Sequence, residues 1–208
     1  MKNIFQENNY VVVEEAISKD LANFIKEYFL LKRKCVQAML SERVISPYVE
    51  YLGTWNDEQM PDTYSHYADF AMETLLKGLK NKMEEVTGTT LYENYSYARI
   101  YKYGDELVRH KDRFSCEISS TLNLGGDPWP IYLDPTEGTN NEGLEVLLRP
   151  GEMLVYKGNK LEHWRYPFFG RECIQVFLHY NSKNTPGAEE NKYDKREFLG
   201  LPSCFRKQ

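Results

Sequence analysis

The chain has four histidines, His66, His110, His163 and His179, and one of them stands in the run Arg109-His110-Lys111-Asp112. Residues i and i+2 of a β-strand point to the same face. An extended backbone here therefore aims an imidazole and a carboxylate at one point and sends Arg109 and Lys111 the other way, to solvent. A third ligand must come from elsewhere. His163, in Lys160-Leu161-Glu162-His163-Trp164, follows the strand-like stretch Glu152 to Tyr156, and closure of a barrel would set it beside His110. Two histidines and one carboxylate on one face of an ion leave three positions open for exchangeable ligands. Without further context, His-x-Asp is equally the sequence of a surface dyad.

The segment after His163 supplies that context. Pro167 to Gly170 reads as a turn, and Arg171 opens the last strong strand. Alternation puts Arg171, Cys173, Gln175, Phe177 and His179 on one face, and Glu172, Ile174, Val176, Leu178 and Tyr180 on the other. An arginine at the mouth of a barrel, one strand from a metal ligand, can grip a carboxylate through two parallel hydrogen bonds. Elsewhere the same residue would make a surface salt bridge.

These residues need a scaffold to position them. Val11-Val12-Val13 marks a short strand within residues 10–15. Ser18 caps a helix running to about Leu40, whose residues Leu21, Phe24, Ile25 and Tyr28 form one apolar face. Residues 43–65 lack periodicity and carry Tyr48, Tyr51, Trp55 and Tyr64, the composition of a lid or binding loop, or of aromatics that simply pack on the core. A second helix over residues 67–86 has the stripe Met72, Leu75, Leu76, Leu79, Met83 and Val86, with Gly88 to end it. From Leu91 the pattern becomes β-rich, with runs at 95–103, 116–124, 130–133, 144–148, 152–156 and 172–180 separated by Gly, Pro and Asn turns. Residues 134–143 are polar and aperiodic, and are expected to form a mobile loop without metal contact. The expectation is one domain over 1–208: an N-terminal strand and supporting helices (1–90), a β core (91–181) and a polar tail that hugs the surface or is partly mobile (182–208).

Composition sets the outer limits. The chain has 208 residues and a net charge of −5, with 26 basic and 31 acidic residues and no extended basic block. That disfavours nucleic acid as the main partner. No apolar run approaches the length of a membrane span. The four cysteines form no C-x-x-C pair, so zinc ribbons are disfavoured and a reduced, cytoplasmic protein is expected.

In chain order, Tyr101-Lys-Tyr-Gly104, His110-Lys-Asp112, His163 and Gly170-Arg171 resemble the 2-oxoglutarate- and iron(II)-dependent dioxygenases, in particular their prolyl-hydroxylase-like branch. The resemblance covers about residues 95–180. Leu148 to Tyr156 resembles the family strand leading to the distal histidine, and residues 10–30 more loosely resemble its N-terminal strand and helix. It implies a mainly β fold, with N-terminal helices supporting a double-stranded β-helix (jelly-roll, cupin-like) core. It implies iron(II) on His110, Asp112 and His163, with Arg171 on the distal carboxylate of 2-oxoglutarate. Tyr101 matches a tyrosine of the cosubstrate pocket. The place of a second pocket tyrosine falls near Asn123, and the interval from His163 to Arg171 is slightly short for the branch. Arg165 is a rival clamp, but it stands only two residues from a metal ligand, too close for the far end of a five-carbon diacid.

With dioxygen, such a site couples oxidative decarboxylation of 2-oxoglutarate to hydroxylation of a C–H bond. The substrate is either a protein side chain such as proline or a small metabolite. A wide groove under residues 43–65 suits a polypeptide, and a closed pocket suits a metabolite. The competing class is a non-catalytic, cupin-like metal- or sugar-binding protein. An intact triad with an arginine clamp argues against it.

Overall fold

The computed structural model describes residues 2–136 and 141–207, without the side chains of residues 2 and 3. A short helix α1 (Lys2–Asn8) precedes β1 (Tyr10–Val13) and α2 (Lys19–Ser41), and β2 (Tyr64–Tyr67) precedes α3 (Phe70–Thr87). Eight further strands follow: β3 (Leu91–Lys102), β4 (Leu107–His110), β5 (Ile118–Gly126), β6 (Ile131–Asp134), β7 (Leu144–Val146), β8 (Met153–Tyr156), β9 (Glu162–Arg165) and β10 (Glu172–Ser182). They form two antiparallel sheets, a larger one in the order β1-β8-β5-β10-β3-β2 and a smaller one in the order β4-β9-β6-β7. This is the expected mainly β jelly-roll with N-terminal helices.

The helices cover the outer face of the larger sheet. Ile174, Val176, Leu178 and Tyr180 of β10 pack there against Phe29 of α2 and Met72, Leu76 and Met83 of α3. Cys173, Gln175, Phe177 and His179 therefore face the barrel interior. Between the sheets, Ile131 and Leu133 of β6 meet Leu154 and Tyr156 of β8.

Caps follow the sequence. The Ser18 hydroxyl accepts from Leu21 N, the Asp69 carboxylate accepts from Ala71 N and Met72 N, and Gly88 closes α3 in the left-handed conformation at φ 72°. The stripe on α3 is as expected, but the buried face of α2 is not. Leu21 and Phe24 are 41% and 71% exposed, and the buried row is Ala22, Ile25, Phe29 and Val36. Lys32 lies in that row too, its ammonium on the buried Asp69 at 2.5 Å. A small residue and a charged one thus occupy the packed face, and hydrophobicity alone points about one residue off.

The aromatic segment 43–65 divides. Tyr48 is exposed, whereas Tyr64 opens strand β2, packs on Phe29 and Trp55 and donates to the Leu52 carbonyl. The C-terminal segment is also more firmly built than a polar tail suggests. Asp194 and Arg196 are buried, and Arg196 pairs with Glu73 of α3 at 2.9 Å. Of the expected mobile loop, residues 137–140 lie outside the described residues, and Asn141 donates to Asp134 and Thr136. Among the described residues no helix is long and apolar enough to cross a membrane.

Candidate active site

Strand pairing brings the three expected ligands together. β4 and β9 run antiparallel with His110 opposite His163. Asp112 lies just past the end of β4, so it reaches the site by a turn of the chain rather than by strand alternation. Its backbone N–H is held by the Gly158 carbonyl at 2.9 Å. Gly158 sits so close that a Cβ there would meet the Asp112 carboxylate and Ser119 Oγ. Asp112 Oδ1 lies 3.6 Å from His110 Nε2 and 3.5 Å from His163 Nε2. Metal bonds of about 2.1 Å place neighbouring ligand atoms roughly 3 Å apart, so small adjustments would admit an ion.

Both imidazoles are turned for this in advance. His110 Nδ1 lies 2.7 Å from the Val108 carbonyl, and His163 Nδ1 lies 3.1 Å from the Leu161 carbonyl. A ring that donates from Nδ1 presents its Nε2 lone pair to an ion. Burial disfavours the ionised Asp112, but the two imidazoles beside it, His163 foremost, outweigh it and hold the carboxyl well below the usual range. Burial also disfavours charged His110, yet its bonds to Asp112 and Val108 raise its pKa overall.

Behind the triad stands a neutral support. Ser119 Oγ lies within hydrogen-bond distance of Asp112 Oδ2 at 3.0 Å, of the Cys116 carbonyl at 2.9 Å and of His179 Nδ1 at 2.9 Å. Burial pushes His179 down to about 4, so it stays uncharged. Asp112, Cys116 and His179 also lie near one another, but the Cys116 thiol is pushed far up, first by burial and then by Asp112, and it shares a hydrogen bond with the Tyr95 hydroxyl. Ser119 thus fixes the outer oxygen of Asp112 and leaves the inner one to the histidines. Ser119→Ala is expected to weaken metal binding by about 10-fold while leaving the fold intact, as read by metal titration and circular dichroism. Unchanged affinity would mean the carboxylate is oriented without it.

Next to His163, on the same strand, lies a buried cation. Arg165 is two residues beyond His163 on β9 and only 1% exposed. It donates to the Trp129 carbonyl, and its guanidinium lies 4.9 Å from the Trp129 ring centre. Among the described residues no carboxylate pairs with it, and its Nε is buried without a partner. Tyr101 is fully buried nearby, edge-on to Trp129, and its hydroxyl likewise lacks a partner. A buried charge demands a counter-charge, and a buried polar atom demands a hydrogen bond. Arg165 and Tyr101 thus leave buried polar capacity that no described residue meets.

Two expected pocket residues lie elsewhere. Arg171 precedes β10 and is exposed. Its backbone N–H bonds to Asp127, and its side chain lines an outer groove with Leu30, Leu31 and Lys34 of α2. The alternation of β10 therefore does not extend back to it. Asn123 is buried, but its amide is used locally: Nδ2 donates to the Leu148 carbonyl, and Oδ1 accepts from Gly125 N, which shapes a bulge. Tyr101 is the one of the three that reaches the cavity. Arg99, Ser119, Tyr156 and His179 complete the surroundings. The alternation of β3 and β10 points to Arg99 and His179, while nothing in the sequence marks Ser119.

In front of the triad opens a cavity of about 370 Å³, reaching Tyr101 and Tyr156 at its inner end. Asp57 and Gln59 form part of its wall, and Met60 anchors their segment beside Tyr101 and Trp129. Gln59 Nε2 lies 3.4 Å from His110 Nε2.

No family model and no curated protein matches the sequence. Solved structures do match. A prolyl-4-hydroxylase from Pseudomonas putida aligns over 88% of this chain and 97% of its own, with a TM-score of 0.56 at 16% identity. The non-haem α-ketoglutarate-dependent epimerase SnoN of nogalamycin biosynthesis aligns over 100% and 93%, with a TM-score of 0.64 at 12% identity. HygX from Streptomyces hygroscopicus, solved with nickel and 2-oxoglutarate bound, aligns over 88% and 86%, with a TM-score of 0.55 at 11% identity. The chain shares the fold of the 2-oxoglutarate oxygenases. At these identities the likeness concerns architecture, and the neighbours span hydroxylation and epimerisation.

Proposed function

We propose that the protein is an iron(II)- and 2-oxoglutarate-dependent oxygenase that hydroxylates a C–H bond of a small molecule. The observation that carries this reading is the buried, anion-less Arg165 beside a His-Asp-His cluster whose imidazoles are already locked for metal binding. A lectin-like or merely metal-binding barrel has no use for the first. The chain's own fold accommodates the groups: His110, Asp112 and His163 would hold the metal, and Arg165 with the Tyr101 hydroxyl would hold the distal carboxylate of 2-oxoglutarate.

When bound, iron and 2-oxoglutarate supply the oxidising power: substrate C–H, dioxygen and 2-oxoglutarate give alcohol, succinate and carbon dioxide. The residues do the rest. Val108 and Leu161 fix the ring tautomers, and Ser119 fixes the carboxylate. Arg165 would pair with the distal carboxylate and so be neutralised. Tyr101, Trp129, Phe168 and Leu107 keep water from the inner end.

Asp57 and Gln59 stand in the wall of the cavity in front of the triad, and we read that wall as favouring a small molecule over a polypeptide.

Anaerobic addition of iron(II) and then 2-oxoglutarate is expected to give one bound iron per chain and a visible charge-transfer band. His110→Ala should lose most of the iron and all of the band. Survival of both in that variant would refute the ligand assignment. Absence of the band from iron-loaded wild type would favour the non-catalytic barrel.

A further inference from the structure

Three residues in a row, Tyr193, Asp194 and Lys195, sit in the left-handed region at φ 56°, 55° and 62°, and none is glycine. Residues with a Cβ adopt that conformation singly and at a cost, and a run of them persists only where the surroundings over-determine it. Here the determinants converge on one carboxylate. The Asp194 side chain is 3% exposed. Arg113 Nη1 donates to its Oδ1 at 2.8 Å, and Arg113 Nη2 to its Oδ2 at 2.9 Å. The Tyr67 hydroxyl donates to Oδ2 at 2.7 Å, Arg206 Nη2 lies 2.5 Å from the same oxygen, and Ser115 Oγ lies 2.8 Å from Oδ1. Burial opposes the ionised form, but these donors, Arg113 foremost, hold the carboxyl well below the usual range.

Arg113 is the residue after Asp112. On its near side Asp112 is fixed by the bond from its N–H to the Gly158 carbonyl. On its far side the chain passes through Arg113 in extended conformation and turns at once over Phe114–Cys116. The C-terminal segment braces that turn. Beside the Arg113–Asp194 fork, Asn191 Nδ2 donates to Ser115 Oγ at 3.1 Å, and Thr185 Oγ1 donates to Glu117 Oε1 at 2.7 Å. The Arg113 guanidinium also lies 4.7 Å from the ring centre of Tyr95, in the cavity wall. A two-point fork to a buried carboxylate fixes both the position and the orientation of the arginine. It therefore limits the travel of the peptide that joins Arg113 to Asp112.

We propose that Asp194 is a positioning residue for the metal site, acting through Arg113 to set the place of Asp112, so that the C-terminal segment completes the site without contributing a ligand. This rests on metal ligation by His110, Asp112 and His163 as proposed above.

The test uses the full chain and cobalt(II), whose visible absorption reports coordination geometry directly. Cobalt affinity, the spectrum of the bound ion and the thermal midpoint of the metal-free protein are compared in wild type, Asp194→Asn, Arg113→Ala, the double variant and Arg206→Ala. Asp194→Asn and Arg113→Ala are each expected to weaken cobalt binding by about 10-fold and to shift the spectrum. The double variant should be no weaker than either alone, because the two residues act as one unit. Arg206→Ala removes a partner from the same carboxylate without touching Arg113, and should lower the midpoint only. The proposal is overturned if folded Asp194→Asn binds cobalt as wild type does, if its loss persists in full once Arg113 is alanine, or if Arg206→Ala weakens cobalt equally. Should Asp194→Asn not fold, Arg113→Ala decides, since the Arg113 side chain is 48% exposed; unchanged affinity and spectrum there overturn the proposal. If wild type binds no cobalt, the ligand assignment fails first and the proposal falls with it.

Discussion

Arg165→Leu is expected to leave iron affinity nearly unchanged and to raise the 2-oxoglutarate requirement about 100-fold or more. Loss of a charge-assisted, two-point contact in a dry pocket costs on the order of 3 kcal/mol. Arg165→Lys keeps the charge without the fork and should fall between. The leucine variant should still fold, because it replaces an uncompensated buried charge with an apolar side chain among Trp129, Tyr101 and Cys173. Arg171→Leu, on the exposed outer groove, should behave as wild type. The measurement is succinate formation against 2-oxoglutarate concentration with iron saturating, alongside titration of the charge-transfer band. A raised requirement in the Arg171 variant with an unchanged one in the Arg165 variant would reverse the assignment.

The contrast between these two arginines shows where sequence reasoning ends. Histidine is scarce here, so spacing picks out His110, Asp112 and His163 as candidates, and the resemblance to the dioxygenases makes them a metal site. Choosing between Arg165 and Arg171 depended on where β10 begins. Its first residue is Glu172, and one position earlier the chain is already bending outward. Arg165 also gains reach from its long side chain, which strand spacing does not show. The strands of the core were legible from alternation and turn residues. β2, an edge strand of mixed aromatic and polar residues, was not. The α2 face was misplaced because Lys32 lies on its buried side. Ser119 and Asp57 are positioned by tertiary contacts alone.

The second large effect concerns stability. Glu73 of α3 accepts from Arg196 Nη2 at 2.9 Å, from Ser96 N at 3.1 Å and from Gly200 N. The side chains of Glu73 and Arg196 are 2% and 0% exposed. Glu73→Ala strands the guanidinium in the interior. The expected loss is about 3–5 kcal/mol, or on the order of 10 °C in the thermal midpoint for a chain of this size. Residues 183–207 should become sensitive to protease. Replacing both partners with leucine should recover much of the loss, since the cost lies in the unpaired charge. Denaturant melts of the single and double variants decide this. A loss below about 1 kcal/mol in Glu73→Ala would show that the segment is held by its other contacts.

The triad and its support come from opposite walls of the barrel. His110 and His163 belong to the smaller sheet, while the serine that steadies Asp112 belongs to the larger. The distance from Asp112 to the two imidazoles therefore works as a calliper on the gap between the walls. Ile131, Leu133, Leu154 and Tyr156 set that gap by their bulk. Tyr156 meets the His163 ring directly, but a methylene added or removed at Leu154 would reach the metal ligands through the frame alone. Such variants would lose coordination geometry while the barrel itself stays folded, so the mainly apolar filling between the sheets belongs functionally to the site.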